Sequence, residues 1–238
     1  MSLFAIGDFH LSGEPPAKPM EVFSPNWENH FEKICRNWLT KITETDTVII
    51  CGDTSWAMSL EAAMQDLNRI AALPGQKIIL RGNHDYWWTS LKKMQQATEG
   101  KFMFLQNNFF ACGDVAVCGS RGWILPSSEA FTDDDRHIYL REGIRLENSL
   151  AAAKNAGFNK FVAALHYPPL YKADEETIFT ELFAKYGVKH CVFGHIHGQD
   201  AGNIFEGETR GVNYKLVSCD TQNFMPQLVL LSEPPQPV

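Results

Sequence analysis

A chain of 238 residues, 45% hydrophobic and 21% charged, can bury a sizeable core and has the composition of a soluble globular protein rather than a disordered one. Its formal charge is 21 minus 28, or −7, which argues against non-specific nucleic-acid binding, since that depends on Lys and Arg neutralising phosphates. No apolar stretch approaches the roughly 20 residues needed to span a bilayer.

LFAIG at 3–7 is a short apolar run closed by Gly, the pattern of a buried strand, and it leads directly into Asp8 and His10. The Pro- and Ser-rich segment 11–25 reads as a loop. Trp27, Phe31, Ile34, Cys35, Trp38 and Ile42 recur at helical spacing before a second strand, TVIICG, which leads into Asp53. Leu60, Ala63, Met64, Leu67 and Ile70 mark another helix, ended by Leu73-Pro74-Gly75. KIILRG then leads into Asn83, His84 and Asp85. Alternating strands and helices imply a largely parallel sheet.

A third helix is expected from Trp87 to about Gln96. The segment 101–120 reads as two or three short strands, antiparallel or meandering. Residues 125–141 read as a polar insertion on the substrate side, with Asp133 to Asp135 as a solvated acidic run, and 142–156 as a helix. KFVAAL leads into His166, and HCVFG into His195 and His197. Ile178 to Tyr186 reads as a helix capped by Gly187. VNYKLVSCD and PQLVLL read as a closing strand pair, and 232–238 as a loose tail. One domain over 1–238 is expected.

Five strand ends thus carry carboxylates, an amide and imidazoles to one rim of one sheet, where α/β proteins bind ligands. Such donors without thiolate suit borderline divalent ions: Mn, Fe, Zn, Co or Ni. Seven candidates exceed one tetrahedral site and suit two ions sharing a bridge, the arrangement that clamps an in-line displacement at phosphorus. Cys35, Cys51, Cys112, Cys118, Cys191 and Cys219 form no CxxC pair and read as reduced core thiols. With no leader before the first strand, a cytoplasmic location is expected.

The blocks D-F-H (8–10), G-D (52–53), G-N-H-D (82–85), His166 and G-H-I-H (194–197), in this order, resemble the calcineurin-like metallophosphoesterase superfamily across residues 8–197. The resemblance implies an α/β fold: a central mixed β-sandwich flanked by helices, with the metal site at the C-terminal ends of the strands. It further implies that Asp8, His10 and His197 hold one divalent ion, Asn83, His166 and His195 a second, and that Asp53 bridges them. His84 is implied to serve as acid for the leaving group, oriented by Asp85. The implied reaction is hydrolysis of a phosphate mono- or diester through a metal-bridging hydroxide. The protein-phosphatase branch resembles G-D-x-V-D-R-G and G-N-H-E, whereas this chain has GDTSWAMS and GNHD, so a small-molecule phosphate ester is the expected substrate.

Two other readings stand beside this one: a nuclease-like or cyclic-nucleotide diesterase, and a non-catalytic scaffold of the same fold. The acidic composition weighs against a nuclease, and the intact His84 and seven ligand positions weigh against a scaffold. Among residues outside the blocks, Arg121 is a candidate phosphate contact and His137 a candidate substrate contact. Alternatively, Arg121 is a turn arginine paired with a carboxylate. His30 and His190 read as structural or surface residues. Trp87 and Trp88 read as core rather than as an aromatic wall, and nothing defines a role for Asp220.

Overall fold

A computed structural model of the chain describes residues 1–231; the expected loose tail at 232–238 lies outside the described residues. In chain order the elements begin with β1 (Ser2–Ile6), α1 (His30–Lys41), β2 (Thr47–Ile50), α2 (Leu60–Ala71), β3 (Gln76–Leu80), α3 (Leu91–Ala97), β4 (Met103–Leu105), β5 (Phe109–Cys112) and β6 (Val115–Ser120). They continue with α4 (Asp133–Asn155), β7 (Lys160–Leu165), α5 (Ile178–Tyr186), β8 (His190–Phe193), β9 (Gly207–Thr209), β10 (Val212–Leu216) and β11 (Gln227–Leu231).

The strands form two sheets, ordered β11-β1-β2-β3-β4 and β5-β6-β7-β8-β10-β9. Each is parallel at its centre; β11 runs antiparallel to β1, and β5 and β9 close the second sheet as antiparallel edges. The single rim expected from the strand ends is therefore a pair of rims on two facing sheets.

Strand alternation explains the layering. In β1, Leu3 and Ala5 face one way and join Ile49, Ile78 and Leu80 against Val117, Val162, Ala164 and Val192 of the other sheet. Phe4 and Ile6 face the other way, onto Phe31, Ile34 and Trp38 of α1 and Leu67 and Ile70 of α2. The outer face of the second sheet is covered by Leu146 and Leu150 of α4 and Phe179 and Phe183 of α5. Each aliphatic side chain so buried contributes about 1.5–3 kcal/mol of transfer free energy. All six cysteines are free, and five are buried. Among the described residues, no helix is long and apolar enough to cross a membrane.

Three local expectations are corrected. The third helix begins at Leu91, not Trp87, because residues 82–90 wrap around the Asp85 carboxylate, and Ser90 then caps the helix. The fourth helix begins at Asp133, so most of the supposed insertion is helical. Asp135 accepts from the Thr132 backbone at 2.9 Å, and three aspartates in the first turn suit the positive end of a helix. Asp133 to Asp135 are thus a helix start, and only 125–132 remain irregular. Finally, β10 and β11 are not partners: β10 lies between β8 and β9, and β11 beside β1.

Candidate metal centre

Each ligand-bearing loop leaves the end of a central strand and is laced to the next. Gly7 donates to the Val217 carbonyl at 2.7 Å, Asp8 to Gly52 at 3.0 Å, His10 to Asp53 at 2.9 Å and Gly194 to His166 at 3.0 Å. Asp8, His10, Asp53 and His195 all have left-handed backbones, with φ of 62, 48, 50 and 75°. Side-chain-bearing residues rarely adopt that region, and four together mark a site whose surroundings enforce it. The glycines inside the motifs have a steric reason. A Cβ on Gly82 would lie 2.0 Å from Asp53 Oδ1, and one on Gly194 would lie 2.4 Å from Asp8 Oδ2.

Six of the seven residues converge in two groups, Asp8 with His10 and His197, and Asp53 with His166 and His195. His10 Nε2 lies 3.3 Å from His197 Nε2, and His197 Nε2 lies 3.6 Å from Asp8 Oδ1. Asn83 Oδ1 lies 2.7 Å from His166 Nε2, which joins it to the second group. Asp53 Oδ2 stands between them, 3.9 Å from His10 Nε2 and 3.5 Å from His166 Nε2. Its other oxygen accepts the His84 backbone N–H at 2.8 Å, which fixes the carboxylate's orientation.

The electrostatics match this crowding. Burial works to raise the Asp8 carboxyl, but the hydrogen bond and charge of His197, with His166 and His10, carry it well below the usual carboxylate range. Burial, then the Asp8 charge, pushes Asp53 up to about 8. His195 falls to about 3 through burial and then His166. Burial also holds His10 and His166 below the ordinary imidazole value. Against its own burial, His197 rises to about 10 through Asp220 and Asp8. Three of the four imidazoles are therefore kept neutral, the form that ligates a cation. Nitrogen and oxygen donors in two adjacent groups, with one carboxylate between them, fit a pair of borderline divalent ions.

Supporting groups hold the ligands in place. His197 Nδ1 donates to Asp220 Oδ1 at 2.8 Å, and His166 Nδ1 donates to the Cys51 carbonyl at 2.9 Å, so each ring turns its Nε2 inward. Asp66 of α2 accepts from Gly13 N at 2.9 Å and Ser55 Oγ at 2.6 Å, tying the first two ligand loops together. His30, expected to be structural, contacts the carbonyl of Phe9 at 2.9 Å and of Trp27 at 3.2 Å, bracing the Asp8–His10 turn. Asp220, which the sequence reading left without a role, is the residue that holds the His197 ring. Its only signal was an acidic residue following a strand.

Asp85 does not orient the His84 ring. Its carboxylate accepts from Gly82 N at 2.7 Å, Thr54 N at 2.8 Å and Trp87 Nε1 at 2.9 Å, and so pins the loop instead. The His84 ring packs on Trp56 at 4.3 Å between centroids, and Trp56 also stacks on His10 at 5.0 Å. His84 Nδ1 is buried without a hydrogen-bond partner. Burial, then the charges of His166 and Lys18, hold its pKa below the ordinary value. Lys18 lies over the Trp56 ring at 4.7 Å, so the 11–25 loop reaches this edge of the site.

Arg121 follows β6, and its carbonyl accepts the backbone N–H of His166 at 3.0 Å. Its guanidinium stacks on Trp123 at 4.3 Å and lies 3.7 Å from the buried Glu142. His137 is not brought to the site: it is exposed on the second turn of α4, because the segment expected as an insertion is helix there. His190 begins β8 at the strand end opposite the ligands. Trp87 and Trp88 are buried in the core beside Phe104.

Comparison with known proteins agrees with this geometry. Among curated proteins none matches the sequence significantly. The protein of unknown function AQ665 from Aquifex aeolicus is similar in structure, with a TM-score of 0.50, 16% identity and 95% of each chain covered. TT1561 of Thermus thermophilus is similar with a TM-score of 0.58, 9% identity, and 95% of this chain and 97% of that one covered. A calcineurin-like phosphoesterase, YfkN from Bacillus subtilis, gives 0.46 at 14% identity, over 92% of this chain and 82% of that one. At such identities the first two likenesses concern the fold alone. A family model described as calcineurin-like phosphoesterase matches residues 1–199, which include all seven candidate ligands, His84 and Asp85. The chain belongs to the calcineurin-like phosphoesterases.

Proposed function

We propose that this protein is a dinuclear metal-dependent phosphohydrolase that cleaves a small phosphate mono- or diester, with His84 as the acid. Family membership implies metal-dependent phosphoester hydrolysis. The observation that carries the finer reading is the position of Asp53, whose Oδ2 lies within 4 Å of an imidazole nitrogen in each group, at 3.9 and 3.5 Å.

Asp8, His10 and His197 would hold one divalent ion and Asn83, His166 and His195 the other, with Asp53 shared. Bound there, such ions polarise a phosphoryl oxygen and lower the pKa of water. The remaining work falls to the chain. Trp56 and the loop pinned by Asp85 fix the His84 ring at the edge of the site. In the free protein that ring is neutral at neutral pH, and a substrate phosphate beside it favours its protonated form by charge attraction. A protonated His84 then donates to the departing oxygen.

The test is a parallel assay on p-nitrophenyl phosphate, its bis ester, cyclic nucleotides and dinucleoside polyphosphates with Mn²⁺ added. Turnover that EDTA abolishes and Mn²⁺ restores is expected. Absence of turnover on every ester, with metal bound, refutes the proposal. The ratio of monoester to diester rates separates a phosphatase from a diesterase.

A further inference from the structure

An acidic chain gathers arginines beside its candidate metal centre. A cavity of about 150 Å³ is lined by Arg81, Arg121 and Arg145, with Trp88, Gln106 and Glu142. Two of these arginines are joined directly to the site. Arg81 stands two residues before Asn83, and Arg121 holds the His166 backbone through its carbonyl. At about 30 Å³ per water, the space exceeds what a few waters need and admits a phosphate group.

Charge balance within the protein does not account for this cluster. The one acidic group lining the cavity, Glu142, is fully buried, and its Oε1 pairs with Arg145 at 2.7 Å. That contact alone neutralises it. Arg121 at 3.7 Å and Arg141 at 4.0 Å are beyond hydrogen-bond reach of the same oxygen. Among the described residues the Arg81 side chain has no ion pair and no hydrogen-bond acceptor, and Arg121 Nε, though buried, likewise has none. Three guanidinium groups against one carboxylate leave a positive excess of two around the cavity, and screening is weakest at Arg121, whose side chain is only 12% exposed. Guanidinium forks match phosphate oxygens in bidentate geometry.

We propose that the Arg81–Arg121–Arg145 cavity is a subsite for a second phosphate of the substrate, so that this hydrolase acts on small esters bearing two phosphate groups. The assignment to substrate rests on the hydrolase reading above; the anion site itself does not.

The full-length chain, kept metal-free with EDTA, is titrated with inorganic pyrophosphate by calorimetry, as wild type and as Arg81→Gln and Arg145→Gln. Binding is expected, weakened at least about tenfold in each variant, the loss anticipated for a charge-assisted contact. No binding, or equal binding by all three proteins, overturns the proposal. Should Arg145→Gln fold poorly, the double variant Arg145→Gln/Glu142→Gln keeps the buried charge balanced. In the Mn²⁺-loaded enzyme, kcat/KM for hexanediol bisphosphate relative to hexyl phosphate should fall about tenfold in Arg145→Gln. An unchanged ratio, with both esters turned over, sinks the subsite and spares the hydrolase. Pyrophosphate binding that needs the arginines, with neither ester hydrolysed, sinks the hydrolase and spares the subsite.

Discussion

His197 and Asp220, separated by 23 residues, form one unit: the imidazole Nδ1 donates to the carboxylate Oδ1 at 2.8 Å, and the other carboxylate oxygen accepts Gly198 N at 2.9 Å. This pairing selects the tautomer that presents Nε2 to Asp8 and His10. Replacing Asp220 with Ala should lower affinity for the ion held by Asp8, His10 and His197 about 10–100-fold, the usual effect of losing such a partner. Metal titration followed by mass spectrometry or calorimetry checks it; unchanged affinity means that the contact is ornamental.

Asp53→Asn keeps the shape of the shared side chain but removes its charge. Since losing an outer partner alone costs about 10–100-fold, removing the shared carboxylate's charge should cost at least about 100-fold in turnover and lower bound metal below two equivalents per chain. Elemental analysis of the purified variant reads this directly.

His84→Asn should leave metal content intact, because the ring contributes no donor to either group. Turnover of phenyl phosphate, with its poor leaving group, should fall about 10²–10⁴-fold, and that of p-nitrophenyl phosphate much less. Wild-type rates on phenyl phosphate would remove His84 from the acid role.

Asp46 supports the fold away from the site, accepting from Ser2 N at 2.6 Å, Thr43 N at 2.9 Å and Thr43 Oγ1 at 2.7 Å. Burial opposes its ionised form, but these donors hold its pKa below the ordinary carboxylate value. The unfolded chain therefore takes up this proton first as pH falls. Stability from Asp46 is complete above the unfolded value and is lost as pH drops through the folded one. Asp46→Ala should cost about 1–2 kcal/mol in urea unfolding at pH 7, and the difference from wild type should shrink below about pH 4.

Most of the candidate ligand positions were legible because the apolar run before them closes on a glycine, at Gly7, Gly52, Gly82 and Gly194; His166 follows its run directly. Gly82 and Gly194 are squeezed against Asp53 and Asp8, so the motif spells out a steric constraint. Asp220 was illegible because its role depends on β10 delivering the following turn to His197, a tertiary fact without local periodicity. Likewise, nothing in the apolar strand runs says whether their two covered faces belong to one sheet or two; here Leu3 faces a second sheet and Phe4 faces helices. The start of α3 was misplaced because Trp87 and Trp88 keep helical apolar spacing while Asp85 holds them in a loop, its carboxylate accepting the Trp87 indole N–H and its carbonyl the Trp88 backbone N–H. For α4 the acidic stretch at 133–135 was read as solvated, and Asp133 and Asp134 are indeed exposed; what was missed is that the same charge suits a helix terminus.

Because Asp8 and His10 issue from one sheet and His197 from the other, a cation gripped by all three rivets the halves of the sandwich together. Loading would then stiffen the seam to which Val162 and Ile49 belong, and chelation would loosen it. The resistance of that seam to amide exchange becomes a gauge of occupancy that needs no substrate at all.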